Sequence, residues 1–281
     1  MRRTGVSSAG RGFGPHDHLC WGYDDPADFH ARAVEFLADG VSLGLKTSFV
    51  APGDAGGLTE ELSRSAPLAK ALREGSLTIE SLDGVYGEDE VVDPETQVAT
   101  YAAATEAALA EGYRGYRVAA EATGLVRTPA RLARFTRYEH RIDRYMAAHP
   151  FSAMCGYDQR ELDEAAIVQL ASLHPAASPG ATPFRLHPDS DGVLSLSGEL
   201  DHGTVGPFTL ALERAQLLPE AGRRVLIDGR GLEFTDHRNL LALSDAAVRQ
   251  DVTVVLRTGC PSARRLLELF EVPGVTLERA A

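Results

Sequence analysis

The run His16-Asp17-His18-Leu19-Cys20-Trp21-Gly22-Tyr23-Asp24-Asp25-Pro26 crowds imidazole, thiol, phenol and carboxylate groups into one short stretch. His18-x-Cys20 offers two ligands of the kind zinc or copper takes, but two ligands are not a site, so metal binding stays open. A partial echo follows: Met154-Cys155-Gly156-Tyr157-Asp158 repeats Leu19-Cys20-Trp21-Gly22-Tyr23-Asp24 with one residue fewer. Both runs sit at the end of a predicted strand and before a predicted helix, where open α/β sheets bind ligands. In a parallel sheet those ends share one rim. We therefore expect His18, Cys20, Tyr23, Asp24, Cys155, Tyr157 and Asp158, with Glu121 from a third strand end, to line a pocket for a small molecule or a redox signal. The plain alternative is that both cysteines are buried as small hydrophobes and both tyrosines cover the sheet. An enzyme using Cys20 or Cys155 as nucleophile with His18 ranks third.

Other chemistries find less support. Gly40-Val-Ser-Leu-Gly44-Leu-Lys46-Thr47 has the wrong spacing for a phosphate loop, and it leads from a helix into a strand. There is no HExxH pattern. We expect no cofactor. Arg134, Arg137, Arg141 and Arg144 share one face of a predicted helix. That face reads as an anion or partner site or, by preference, as a solvated face partly paired with Glu139 and Asp143.

The elements that carry these residues alternate. Helices are expected from Asp25-Pro26 to Gly40, over 58–73, Pro94 to Glu111, Pro129 to His149 and Glu161 to Leu173. Strands are expected over Lys46–Ala51, Ser76–Leu82, Gly115–Ala120 and Phe151–Gly156. This is the pattern of an α/β layer fold with a mostly parallel sheet. Residues 1–15, rich in Gly, Ser and Arg, read as a flexible tail. The three prolines and the glycine of 174–183 read as a linker between a domain over 16–173 and one over 184–281. In the second domain, strands are expected over Val193–Ser197, Val225–Asp228 and Val252–Arg257, alternating with helices over 204–217, 239–249 and 262–270.

Composition agrees with two domains. The 281 residues carry a net charge of −12, which argues against a general nucleic-acid binder. Lys46 and Lys70 are the only lysines, so the arginine excess reads as codon bias. Cys20, Cys155 and Cys260 are too scattered for a disulfide framework and suggest a reducing, cytoplasmic setting. No secretory signal and no membrane span are expected.

The first half resembles the MEDS domain, a sensory module of regulators in methanogens and methylotrophs. The resemblance rests on His18-x-Cys20-x-x-Tyr23, Phe36-Leu37-x-x-Gly40, Gly115-Tyr116-Arg117, Tyr138-Glu139 and Met154-Cys155-Gly156-Tyr157-Asp158 followed by His174-Pro175. It covers about residues 16–175. It implies a RecA-like sheet with flanking helices that has lost its phosphate loop near Tyr23-Asp24-Asp25-Pro26, and a role in sensing small molecules.

The second half, about 183–278, resembles the STAS domain of anti-sigma-factor antagonists, a smaller α/β fold. The matching stretches are Leu196-Ser-Gly198-Glu199-Leu200-Asp201, Val225-Leu-Ile-Asp228, Leu232-Glu-Phe234-Thr-Asp236 and Ser262 to Phe270. The resemblance implies docking of a kinase-type anti-sigma factor or a related regulator around Asp201, Asp236, His237, Arg238 and Asn239. The family's phosphorylated serine stands two residues after the aspartate, where this chain has Arg238, and Asn239 stands in place of its glycine. The sequence thus points to a non-enzymatic signal-transduction protein with a non-phosphorylatable output domain, acting through protein contact and neither on nucleic acid nor at a membrane. Its rival is an adaptor that senses nothing.

Overall fold

The computed structural model describes residues 2–82, 92–215, 217 and 223–280. The first half runs β1 (Gly5–Val6), β2 (His18–Tyr23), α1 (Pro26–Ser42), β3 (Lys46–Ala51), α2 (Ala55–Leu62), α3 (Ala66–Glu74), β4 (Leu77–Ser81), α4 (Pro94–Ala110), β5 (Tyr116–Glu121), α5 (Pro129–Ala148), β6 (Phe151–Asp158), α6 (Glu164–Ala171) and β7 (Ala176–Ala177). The second half runs β8 (Phe184–Pro188), β9 (Leu194–Leu200), α7 (Val205–Ala215), β10 (Arg224–Thr235), α8 (His237–Arg249), β11 (Thr253–Thr258), α9 (Pro261–Leu269) and β12 (Val275–Arg279).

The first sheet has seven strands in the order β1-β7-β2-β6-β5-β3-β4, and every pair in it is parallel. Helices cover both faces, which explains why β3 and β6 read as nearly unbroken buried runs. The second sheet is smaller, with five strands in the order β12-β11-β10-β9-β8. Only the β8–β9 pair in it is antiparallel. The chain is therefore α/β, with two sheets and, among the described residues, three hydrophobic clusters, two about the first sheet and one about the second. Among the described residues, no helix is long and apolar enough to cross a membrane.

Part of the acidic excess is structural. Asp25, Asp54, Asp93, Asp163 and Asp236 each accept a backbone N–H in the first turn of a helix. This satisfies donors that a helix start leaves unpaired. The single helix expected over 58–73 is two helices, because Pro67 sits in a first turn and starts α3 afresh. Two strands of the second sheet, β8 and β12, went unread in the sequence.

Two segments expected to be loose are built in. Within 1–15, Gly5 and Val6 pair with Ala176 and Ala177 as the edge of the first sheet, and the Arg2 side chain is buried. Within 174–183, Ala176 and Ala177 form β7, beside β2, and the stretch from His174 to Ser178 is buried. The prolines of 174–183 do exclude a long element, but they leave room for a short strand. The second domain packs against the first through α6 and α5. Leu186 N–H donates to Ser172 O (2.7 Å), Arg214 to Gln169 Oε1 (2.8 Å) and Arg144 to Ala215 O (3.1 Å).

A buried arginine locks the first domain. Arg117 on β5 donates to Ser152 Oγ and to the carbonyls of Phe36, Phe13 and Gly14, all within 2.9 Å. Its guanidinium lies 4.2 Å from the Phe36 ring centroid. Burial pulls its pKa down to about 10, so it keeps its charge at neutral pH. A Cβ at Gly40 would lie 2.6 Å from the Arg117 Cδ, so the glycine lets the side chain pass α1.

Gly156 has a similar role on the other strand. A Cβ there would lie 2.3 Å from the Phe29 ring. Gly156→Val should therefore displace Phe29 and cost about 1–3 kcal/mol of stability. The check is a lower midpoint in denaturant unfolding, and an unchanged midpoint would contradict this packing.

Candidate functional site

The alternation of side chains along β2 and β6 divides the chemistry between two places. Cys20 and Cys155 are direct register partners on neighbouring strands. His18, Cys20, Cys155 and Tyr157 fall on one face of the sheet, toward α5, by the two-residue period. The echo ends one residue early on β6, so its tyrosine changes sides: Tyr157 turns toward α5, while Tyr23 packs with Phe29 of α1. Tyr23, Glu121 and Asp158 occupy the opposite face at the strand ends.

The Tyr23 group lines an open cleft of about 450 Å³ beside Phe29, Phe49 and Arg127. The Tyr23 hydroxyl donates to Glu121 Oε1 (2.9 Å), which Thr123 also approaches through its N–H and its hydroxyl. Burial pushes the Glu121 carboxyl up and, with Glu121 beside it, the Tyr23 phenol too. Asp158 is held by the guanidinium and the backbone N–H of Arg160, which keep its carboxyl low. Arg127 pairs with Glu161 (2.7 Å). Asp24 is exposed and does not line the cleft. With Glu61, Glu121, Asp158 and Glu161 at its wall and its arginines paired, the cleft is poorly suited to a polyphosphate.

The other face holds a closed polar cluster. His18 and Glu139 are wholly buried, His174 and Asp143 are too, and Cys155 is nearly so. His18 Nδ1 faces Asp143 Oδ1 (3.1 Å), and its Nε2 lies 3.2 Å from Glu139 Oε2 and 3.6 Å from Cys155 Sγ. His174 Nε2 lies 3.6 Å from Glu139 Oε2. Tyr157 donates to Glu139 Oε1 (2.9 Å). Arg2 pairs with Asp143 and also donates to Pro188 O (2.9 Å) on β8.

The electrostatics follow from these contacts. Burial alone would lower the His18 pKa, but the Asp143 and Glu139 carboxylates outweigh it and raise it. Burial would raise Asp143 and Glu139, yet Arg2 and His18 hold the first down, and His174 and His18 the second. Burial, reinforced by the charge on His18, pulls His174 down to about 4. Burial pushes both thiols well up, and the Glu139 charge adds to the shift.

Glu139 and Asp143 overturn one expectation. They do not pair with the arginines of their own helix. Arg134 and Arg141 reach Asp93 and Glu95 on the far side, near the start of α4. Both carboxylates instead face inward with Phe135, Ile142 and Met146. Spacing held the clue, since 135, 139, 142, 143 and 146 lie on one helical stripe. Asp143 and Arg2 carried no motif signal at all.

In the second domain, Asp236 caps α8 by accepting from Asn239 N–H (3.0 Å). The Asn239 side chain is buried and donates to Asp201 O (2.7 Å) and Asp236 Oδ1 (2.8 Å). It thereby ties the turn after β9 to the start of α8. His237 and Arg238 are exposed beside them.

The burial of the thiols has a direct check. In the native chain Cys20 and Cys155 should label with a maleimide far more slowly than after urea unfolding. A fast-reacting native thiol at either position, located by mass spectrometry, would contradict the closed cluster.

The comparisons with known proteins bear on the half that holds both sites. Residues 17–175 match the MEDS family, the methanogen/methylotroph DcmR sensory domain. None of the curated proteins compared with the chain matches it. The match takes in every residue of the cleft and all of the buried cluster except Arg2. It spans more than half of the sequence, so this chain belongs to the MEDS family.

Proposed function

We propose that the chain is a two-part, non-enzymatic signalling protein. The MEDS domain senses a small molecule or a redox state, and the second domain, of STAS type, passes that state to a kinase-type anti-sigma factor or a related regulator. One observation carries this reading: the Arg2 guanidinium joins Asp143 of the buried cluster to Pro188 O on the first strand of the second domain. A change in the cluster's charge therefore acts on the second domain across one side chain. The family supports a sensory, regulatory role. The rim cleft supplies room for a small ligand, and the high thiol pKa values argue against a cysteine nucleophile.

The output side rests on the start of α8. A phosphoserine there would bring about −1.5 to −2 of charge to a docking face. Arg238 holds a fixed positive charge instead, so this domain stays in one electrostatic state. Asn239, wedged between Asp201 and Asp236, stiffens the same turn where a glycine would leave it free. Cytoplasmic placement fits such a partner.

The test is to incubate the full chain with kinase-type anti-sigma factors of its own host and ATP. A complex should form with no phosphate on 236–240. Arg238→Ser combined with Asn239→Gly should gain phosphate at the new serine. Failure to bind any such factor, or phosphate on the unmodified segment, would sink the anti-sigma reading.

A further inference from the structure

We infer that His18, Glu139, Cys155 and His174 form a binding site for one divalent transition-metal ion, of the zinc class, inside the MEDS domain. The site goes beyond the signalling role proposed above and stands whether or not the second domain contacts an anti-sigma factor.

The first argument is geometric. One donor atom from each of the four residues lies within 4.8 Å of the others. Three of the donor-to-donor distances are 3.2, 3.6 and 3.6 Å. Zinc bonds of about 2.0–2.3 Å in a tetrahedron set neighbouring donors roughly 3.3–3.8 Å apart. The cluster is therefore close to the size of a tetrahedral coordination shell.

The second argument is that two donors lack a hydrogen bond. Glu139 Oε2 and His174 Nε2 are buried polar atoms that make no hydrogen bond among the described residues. Glu139 Oε2 has only the ion-pair approach of His18 Nε2 at 3.2 Å and His174 Nε2 has no hydrogen bond, an arrangement that is costly at this depth. Both face the same small space, where one cation would satisfy them together.

A third argument is that each donor is aimed from behind. Asp143 holds His18 at Nδ1, Leu170 O holds His174 at Nδ1 (2.9 Å), and the Tyr157 hydroxyl holds Glu139 at Oε1. In each case the remaining nitrogen or oxygen is the one turned into the cluster. This is how metal ligands are oriented by their neighbours.

Charge selects the ion. With both imidazoles neutral, the Cys155 thiolate and the Glu139 carboxylate supply two negative charges, which a divalent ion cancels. Asp143 is balanced separately by Arg2. A neutral unit is what a site closed to water requires. Imidazole and thiolate donors favour zinc and its first-row neighbours over calcium or magnesium. As the ion enters, Cys155 gives up its thiol proton to solvent, and so does any imidazole protonated at Nε2.

The ligands come from β2, α5, β6 and the segment after α6, so the ion would clamp four separate pieces of chain. His174 follows Leu173, which lies in the core of the second domain. Metal occupancy would thus set the joint between the domains.

The experiment uses the full chain, stripped with a chelator and then titrated with Co(II) and with Zn(II). One equivalent of Co(II) should give the visible bands of a four-coordinate ion and a near-ultraviolet thiolate-to-cobalt band, and Zn(II) should displace it. Cys155→Ser should lose the thiolate band, while Cys20→Ser and Cys260→Ser keep it. Asp143→Asn should weaken affinity about 10–100-fold. Should Cys155→Ser fail to fold by circular dichroism, the two other serine variants still identify the thiolate, because the chain has three cysteines. A folded chain that takes up no stoichiometric cobalt or zinc, or a cobalt spectrum unchanged in folded Cys155→Ser, would overturn the proposal.

Discussion

A carboxylate with no access to water, that of Asp143, organises much of this molecule. Left alone at such depth it would be driven to protonate. Arg2 on one side and His18 on the other keep it charged, and each is fixed in return. Arg2 draws residues 2–6 against the sheet, where they add β1. His18 is held by Nδ1, so its second nitrogen points at Glu139 and Cys155. Breaking a buried pair of this kind by removing one partner typically costs about 3–5 kcal/mol, since it strands the other charge.

The two chemical sites share strands but not faces. The cleft at the strand ends is open, acidic and partly aromatic, which suits an exchanging small molecule. The cluster beneath α5 is closed and suits a resident group. A single residue less in the second motif separates them, since a shift of one along a strand moves a side chain to the opposite face. The MEDS-like motifs divide in the same way. Phe36, Gly40 and Arg117 build the internal lock, and His18, Glu139, Cys155 and His174 build the cluster.

Much of this was legible in the sequence. Periodicity gave the alternating layers, and strands such as Lys46–Ala51 emerged with their limits intact because apolar runs ended at Pro-Gly turns. The shared strand-end context of Cys20 and Cys155 pointed to one rim, and the two residues are register partners, but Tyr23 and Tyr157 lie on opposite faces, so the single pocket expected for all four does not form. Glu139 and Asp143 were misassigned because nearby arginines offered an obvious partner, and charge pattern alone does not tell an inward carboxylate from an outward one. The role of Arg2 depends on a contact with a residue 141 positions away, which no local pattern encodes. The short strands β1 and β7 have only two residues each, too few to show a period.

That two-residue β7 bears on how the halves can move. A proline-rich connection suggests a swinging hinge, yet here it is stitched between β1 and β2 and buried along half its length. A strand fixed on both sides is a rivet rather than a swivel. Under the two-part role proposed above, a signal between the domains would travel as small slides of α5 and α6 along α7 and β8, the shear type of motion. On that reading the joint favours sub-helix-turn displacements over large reorientations, and two signalling states would differ more in stiffness and packing than in outline.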